Sequence, residues 1–324
     1  MKKRLVVLMA LLLCLGTLFA NGEIEKGKDT SSYPEKVIKI IVPYGAGGGA
    51  DITVRLFSKY LEPILGQNIV IQNVTGGSGT IGWTQLINAK PDGYTLGYGD
   101  CLMSNGKLLF DGVQYDNSSF TPISKYASDP HIIVVSKSSG ITSMDDLIAK
   151  AKENPGKMTF GLGGAWSSHD FLRISLEEKT GIKFNRMVFQ SGAAAVNAVA
   201  GGNCDVAVPF TAEALAQIEA GNVMPLAITS STRFAIIKDI PTLKELGFDF
   251  EHVMWRALVG PAGIPEAIIK ILDKAMAQVL TDPEYQAQVL NAGSFALYEG
   301  YDTFKDSFNT SHEFYKKMIL ETSK

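Results

Sequence analysis

The sequence predicts an α/β protein of two lobes joined by a hinge, on three observations. Short apolar stretches alternate with amphipathic stretches along most of the chain, as strands and helices do in doubly wound sheets. The chain has 324 residues, which is too long for a single core of ordinary size. After Val253 the pattern becomes mainly helical, so the remainder must pack on an earlier sheet. We therefore expect a discontinuous first lobe, residues 33–131 plus 254–324, with the second lobe, residues 132–253, inserted in it and the two chain crossings acting as a hinge.

Apolar, β-branched runs predict the strands, and apolar residues at helical spacing predict the helices. Their alternation implies parallel sheets with right-handed crossovers. The expected strands span residues 37–42, 68–74, 94–98, 131–136, 158–161, 185–189, 206–210, 224–229 and 254–259. The expected helices span residues 52–65, 81–89, 145–153, 169–180, 193–201, 212–220, 265–280 and 302–322.

The first residues have the order of a secretory signal peptide. Three basic residues, 2–4, precede an apolar run over 5–15, and small residues follow up to Gly22. The run is too short for a permanent membrane span, which needs ~20 residues. We therefore expect residues 1–22 to be a signal peptide and residues 23–32 to be a flexible lead-in, with the mature protein in the periplasm or another extracytoplasmic space.

The cysteines bear on both anchoring and oxidation state. A lipid anchor through Cys14 is the less favoured alternative, because Leu13 stands where lipoprotein processing requires a small residue. Cys101 and Cys204 are too far apart in sequence for a disulfide framework, and two buried free thiols are favoured over a bridge.

Charge and histidine spacing exclude several classes of partner. Loss of three basic residues with the signal peptide changes the formal charge from −3 to −6. An acidic protein of this kind is not expected to bind nucleic acid, which requires a basic surface. The four histidines have no metal-ligand spacing, so neither a metal nor a cofactor is expected.

Four glycine-rich turns lie where a strand gives way to a helix. They are residues 45–51, 76–80, 163–168 and 190–193. Such a turn lets backbone N–H groups converge, and the helix N-terminus adds partial positive charge. Because the carboxyl ends of parallel strands meet at one edge, we expect all four turns to face one crevice that binds an anion.

Two side chains near these turns have alternative roles. Asp51 can fix the first turn or bind a ligand donor, and it can also pair with Arg55 four residues on; fixing the turn is favoured. His169 can reach the crevice as a donor or can serve only in capping and packing.

Enzyme motifs are incomplete. The glycine spacing at residues 45–50 satisfies a dinucleotide fingerprint, but the next strand ends at Asn73 with no acidic residue for the ribose. A nucleophile elbow around Ser78 fails because Thr80 stands where glycine is required.

The chain resembles the periplasmic solute receptors of tripartite tricarboxylate transporters, also called Bug-type receptors, over nearly its whole mature length. The order and spacing of the shared segments carry the resemblance. The matching segments are Tyr33-Pro34, Ile41-Val42-Pro43-Tyr44 followed by Gly47-Gly48 and Asp51, Gly76-Gly77-Ser78-Gly79 with Gly82, Pro91-Asp92-Gly93-Tyr94-Thr95-Leu96, Gly201-Gly202 with Asp205, and Gly260-Pro261-Ala262-Gly263 with Pro265.

The resemblance implies a periplasmic-binding-protein-like (Venus flytrap) fold of two α/β lobes with an interdomain ligand cleft. It implies that a carboxylate is held by the two first-lobe turns, largely through backbone N–H groups and ordered waters, with further contacts from the second lobe. Together with His169, the expected ligand-binding residues are Tyr44, Gly45, Ala46, Gly47, Gly48, Gly49, Asp51, Gly77, Ser78, Gly79, Thr80, Ala165, Ser167, Ser168, Gln190, Ser191, Gly192 and Ala193.

One position departs from the family pattern. Many members have Tyr-Lys-Gly where this chain has Phe189-Gln190-Ser191. Without that lysine the turn has no cation for an ion pair with the ligand, so the resemblance does not imply the charge of the ligand.

The resemblance implies a monomeric receptor that captures a small tricarboxylate, dicarboxylate or similar organic acid for the membrane subunits of a tripartite tricarboxylate-type transporter. Binding without catalysis is expected. Two alternatives remain open at this point: a ligand-sensing input protein for a membrane sensor kinase, and a secreted enzyme on the same scaffold.

Overall fold

The fold is a pair of α/β units. A computed structural model describes residues 32–322, so the expected signal peptide, Cys14 and all but one residue of the expected lead-in lie outside the described part of the chain. The strands are β1 (Ile38–Val42), β2 (Ile69–Asn73), β3 (Thr95–Asp100), β4 (Phe120–Pro130), β5 (Ile132–Ser136), β6 (Thr159–Leu162), β7 (Asn185–Val188), β8 (Val206–Ala207), β9 (Val223–Ile228), β10 (Val253–Pro261) and β11 (Phe295–Glu299).

Helices cover both faces of the sheets that these strands form. They are α1 (Gly49–Leu65), α2 (Thr80–Ile87), α3 (Gly106–Leu109), α4 (Met144–Glu153), α5 (Ser168–Thr180), α6 (Gly192–Ala200), α7 (Thr211–Glu219), α8 (Glu266–Thr281), α9 (Pro283–Asn291) and α10 (Tyr301–Thr322).

The strands form two separate sheets. One has six strands in the order β11–β4–β10–β3–β1–β2, and the other has five in the order β7–β6–β8–β5–β9. The first sheet therefore combines the early strands with the last two, while the second uses only strands between them. The expected α/β fold of two lobes is confirmed.

Each sheet separates two layers of core, because successive strand residues face opposite sides. In β1, Ile40 faces a cluster that includes Phe57 of α1 and Leu272 of α8. The next residue, Ile41, faces a cluster that includes Trp83 of α2. The second sheet is likewise covered by α4 and α5 on one face and by α6 and α7 on the other.

The expectation of parallel sheets is wrong, because both sheets are mixed. The pairs β1–β2, β1–β3, β6–β7 and β6–β8 are parallel, but β10 runs antiparallel to β3 and β4. In the other sheet β5 runs antiparallel to β8 and β9. The cause is the crossing between lobes: β4 leads out of the first sheet, and β10 brings the chain back beside it in the opposite direction.

The mainly helical ending is confirmed, because α8, α9 and α10 cover most of residues 262–322. The sequence predicted neither β11, which interrupts these helices, nor β4, with which β11 pairs antiparallel. Almost all of β4 is buried, yet it contains polar residues and Pro122, so it has no apolar periodicity. Residues that are distant in sequence form hydrogen bonds or ion pairs with such polar side chains. Lys125 of β4, for example, forms an ion pair with Glu299 of β11.

The two units share packed side chains as well as chain crossings. The chain crosses at His131, between β4 and β5, and again through residues 229–252. Phe171 of α5 is 0% exposed, and its ring lies 4.9 Å from the ring of Tyr315 on α10. This contact joins a helix of the second sheet to the last helix of the first.

We expect Phe171→Ala to destabilise the protein by about 3–5 kcal/mol, because the truncation leaves a cavity in a fully buried contact. Urea unfolding followed by fluorescence would measure the loss. Phe314→Ala is the matched control, since Phe314 neighbours Tyr315 but is 50% exposed. An unfolding midpoint for Phe171→Ala equal to that of the control would show that the contact contributes little.

Candidate functional site

A cleft of about 640 Å³ lies between the two sheets, lined by elements of both. The strand–helix turns of the first and fourth glycine-rich segments face each other across it. The expected site residues that line the cleft are Tyr44, Gly45, Ala46, Gly47, Gly48, Gly49, Ser168, His169, Gln190, Ser191, Gly192 and Ala193. The expected site residues that do not line it are Asp51, Gly77, Ser78, Gly79, Thr80, Ala165 and Ser167.

The first turn presents bare backbone to the cleft. Gly47 has φ +77, a left-handed conformation that glycine adopts without strain. Gly48 is the N-cap of α1 and has no side chain to cap the helix, so no side-chain hydrogen bond closes this end. The first N–H groups of a helix have no partner within the helix. An anion in the cleft can therefore accept hydrogen bonds from them and gain from the dipole of the 17-residue helix.

Asp51 holds this turn in place from behind. Its Oδ2 accepts hydrogen bonds from the Gly47 N–H and from Nε of Arg55, both at 2.9 Å. Its Oδ1 accepts from Nδ2 of Asn73 at 2.9 Å, and the same amide donates to the Tyr44 carbonyl at 3.0 Å. Burial alone would raise the pKa of Asp51, but these donors and the Arg55 charge outweigh it and lower the pKa.

The second glycine-rich turn, residues 76–80, supports the first lobe without lining the cleft. The backbone of Gly79 lies against the ring of Trp83, so a Cβ there would come within 2.8 Å of it. At Gly82 a Cβ would lie within 2.9 Å of both Pro43 and the carbonyl of Val74. These close approaches let α2 pack on the strands, which explains why the segment is rich in glycine.

The third turn repeats the first in the other lobe. Asp170 is the third residue of α5, as Asp51 is the third residue of α1. Its carboxylate accepts a hydrogen bond from the Trp166 N–H four residues earlier at 3.2 Å and pairs with Arg173 and Arg186. Of the third turn, residues 163–168, only Gly163 and Ser168 line the cleft, together with the next residue, His169.

Two further histidines fix Ser168. Its hydroxyl lies 3.0 Å from Nε2 of His131 and 3.3 Å from Nε2 of His252, and its carbonyl accepts from His252 at 2.9 Å. Burial lowers the pKa of His131 well below its usual range and that of His252 to about 4. Both residues flank the chain crossings, so this group connects the start of α5 to the hinge.

The fourth turn is filled by the protein's own side chains. The Ser191 hydroxyl accepts a hydrogen bond from the Ala194 N–H at 3.1 Å. The Glu213 carboxylate accepts from the N–H groups of Phe210, at 3.0 Å, and Ala193. Burial would raise the pKa of Glu213, but His169 and these N–H groups outweigh it and lower the pKa. The helix end that was expected to bind the anion of a ligand is therefore already occupied by the Glu213 carboxylate.

A buried ion pair in the cleft was missed. Arg256 of β10 and Asp129 of β4 are in direct contact, and their side chains are 5% and 4% exposed. Arg256 also donates to the Tyr98 hydroxyl at 3.0 Å, and Asp129 accepts from the Ser294 hydroxyl. A single arginine inside the otherwise apolar stretch 254–259 was the available sequence signal.

Residues 32–322 lack a helix suited to spanning a membrane, a cluster of metal ligands and a disulfide. None of the helices there is both long and apolar enough to cross a bilayer. No group of three or more potential metal-ligating side chains is assembled in that range. Cys101 and Cys204 are both buried and unpaired, as expected.

We expect Asp51→Asn to lower the free energy of unfolding by about 1–3 kcal/mol near neutral pH, the usual loss when hydrogen bonds to a buried charged group are weakened. The pKa of Asp51 is lower in the folded protein, so its contribution is present above the ordinary pKa of 3.8 and disappears as pH falls through the folded value. The deficit should therefore shrink in acid.

Urea unfolding at neutral and acidic pH would measure the difference. Asp145→Asn is the matched control, because Asp145 also lies in the first turn of a helix but is exposed. A deficit independent of pH would contradict the assignment to the carboxylate charge.

Arg256→Gln should destabilise the protein by about 3–5 kcal/mol, because Asp129 would be left as an uncompensated buried charge. The double variant Arg256→Met, Asp129→Leu removes both charges and should recover part of that loss. Unfolding midpoints of the two variants test this order. A double variant less stable than the single one would mean that packing, and not the unpaired charge, dominates.

Comparisons with known proteins place the chain in a family. A family model described as the tripartite tricarboxylate transporter family receptor matches residues 53–319. Protein BugT of Bordetella pertussis is 30% identical over 274 residues, covering 83% of this chain and 84% of that protein.

Solved structures agree. A TctC solute binding protein from Polaromonas is 30% identical with a TM-score of 0.76, over 90% of this chain and 100% of that one. The periplasmic binding protein BugD is 26% identical with a TM-score of 0.76, over 90% of this chain and 99% of that one. The chain belongs to the tripartite tricarboxylate transporter receptor family.

Proposed function

We propose that this receptor captures a small organic carboxylate between its lobes and delivers it to the membrane subunits of a tripartite tricarboxylate-type transporter. The observation that carries the proposal is the start of α1, a 17-residue helix whose end has no side-chain cap and opens into the cleft. A carboxylate fits such an end because its oxygens accept several converging N–H bonds.

In this proposal the residues have unequal roles. Tyr44 to Gly49 contact the carboxylate, and Asp51 fixes the turn that carries them by accepting the Gly47 N–H. Ser168, His169 and residues 190–193 contact the remainder of the ligand from the second lobe. Residues 77–80, with Ala165 and Ser167, act indirectly by shaping the turns.

The proposed lobes are residues 33–131 plus 254–324 and residues 132–253, which close around the ligand by bending at His131 and at 229–252. The receptor works as an exported monomer in the periplasm. Binding is followed by release without chemical change, so the protein is not an enzyme.

A thermal-shift panel of monocarboxylates, dicarboxylates, tricarboxylates, amino acids and aromatic acids tests the proposal. A ligand at a hundredfold excess over its Kd should stabilise the fold by about 2.7 kcal/mol. Gly48→Val should abolish that shift, because its side chain would stand over the helix end. Gly48 has an ordinary φ of −77, so the backbone conformation suits a side chain, but the Gly45 carbonyl, 3.2 Å from the new Cβ, must move by a few tenths of an ångström.

Gly201→Val is the matched control, because Gly201 is exposed, lies outside the cleft and has a φ of −82. It should keep the full ligand-induced shift. A Gly48→Val protein that still binds would show that the first turn is not the carboxylate site, and a panel without any stabilising acid would overturn the function.

A further inference from the structure

We infer that Glu213 and His169 form a subsite for an ammonium group, so that the ligand is a carboxylate carrying an ammonium at its far end and not a dicarboxylate or tricarboxylate. The inference rests on the proposed function, because it takes the first turn as the site of the ligand's one carboxylate.

The first support is the carboxylate of Glu213. It lines the cleft with a side chain that is 26% exposed, while its Oε2 is fixed by the backbone N–H of Phe210. A Cβ on Gly192 would come within 2.0 Å of that oxygen, so the carboxylate lies directly on the start of α6. The full negative charge of the carboxylate exceeds the partial positive charge of a helix end, so net negative charge remains in the cleft wall.

The second support is the imidazole of His169. The residue is 5% exposed and lines the cleft, and neither of its ring nitrogens has a hydrogen-bond partner. Its Nε2 lies 3.7 Å from Oε2 of Glu213, close enough for an ion pair when the imidazole is protonated but beyond hydrogen-bond distance. A buried polar side chain without a partner costs free energy, and an ammonium that donates to both groups would remove that cost.

The charged side chains around the cleft disfavour a ligand with a second carboxylate. Within the described residues, Arg256 is the only lysine or arginine that lines the cleft, and Asp129 already neutralises it. A carboxylate at the far end of the ligand would meet Glu213 without a free cation beside it. Like charges at close range in a partly buried site repel strongly.

The spacing of these groups suits a short ligand. The guanidinium of Arg256 approaches Gly49 in the first turn, where a Cβ would lie 3.2 Å from Nη2. The ring of Phe210 lies 5.8 Å from that guanidinium and 4.9 Å from the ring of His169. A single aromatic ring thus separates the carboxylate end of the cleft from the Glu213 end.

Calorimetric titration with matched pairs of acids tests the inference. Each pair has the same chain between its end groups: β-alanine and succinate, γ-aminobutyrate and glutarate, δ-aminovalerate and adipate. In at least one pair the amino acid should bind about tenfold or more tightly than the dicarboxylate. Glu213→Gln keeps an oxygen for the Phe210 N–H but removes the charge, and it should lose about tenfold or more in amino acid affinity.

Glu219→Gln is the matched control on the same helix, because Glu219 is exposed and does not line the cleft. It should bind as the wild type does. If Glu213→Gln unfolds, Gln190→Lys provides the same test from an exposed position in the cleft: the added cation should weaken amino acid binding and strengthen dicarboxylate binding.

Failure of the subsite and failure of the receptor function would give different results. Dicarboxylates that bind more tightly than their amino acid partners, with no change in either Glu213→Gln or Gln190→Lys, would overturn the subsite and leave the receptor function intact. A wild-type protein that binds none of the acids in the wider panel would overturn the proposed function, and the inference with it.

Discussion

The candidate site depends on one constraint: the start of α1 must stay open to the cleft while the turn before it stays rigid. The helix end has no side-chain cap, and the turn consists of glycine and alanine, which cannot hold themselves in one conformation. Asp51 supplies the rigidity from the protein side by accepting the Gly47 N–H and joining it to Arg55 and Asn73. The ligand side is thereby left free, and the turn does not have to be ordered when an anion binds.

Both lobes have an aspartate that holds the turn before a helix, but the two lobes present different groups to the cleft. Asp170 holds the turn before α5 as Asp51 holds the turn before α1. However, the helix end of the second lobe that faces the cleft is that of α6, and Glu213 occupies it. The cleft is therefore electrostatically asymmetric: one side offers backbone donors to an anion, and the other offers a carboxylate beside an imidazole whose ring nitrogens make no hydrogen bond. In the proposed site this asymmetry orients a ligand that has a carboxylate at one end and an ammonium at the other.

Two further buried charges, those of Arg256 and Asp129, neutralise each other. Arg256 and Asp129 come from neighbouring strands, β10 and β4, which join the first lobe to the crossing segments. Burial of either charge alone would be costly, so their contact belongs to the stability of this strand pair. Burial alone would lower the pKa of Arg256, but the adjacent Asp129 raises it, so the guanidinium remains charged. The pair thus places a fixed, neutral dipole at the floor of the cleft.

The sequence by itself determined the α/β class, the two lobes and the glycine-rich turns, because these depend on local periodicity and on residues close in the chain. It did not determine β4 or β11, whose polar residues become compatible with a sheet only beside partners such as Glu299 and Arg256. Nor did it determine the mixed strand directions, since pairing β10 with β4 requires the chain to return from the other lobe. The occupancy of the fourth turn by Glu213, about twenty residues on, was likewise decided only by tertiary structure, because a helix end in sequence does not reveal which distant carboxylate reaches it.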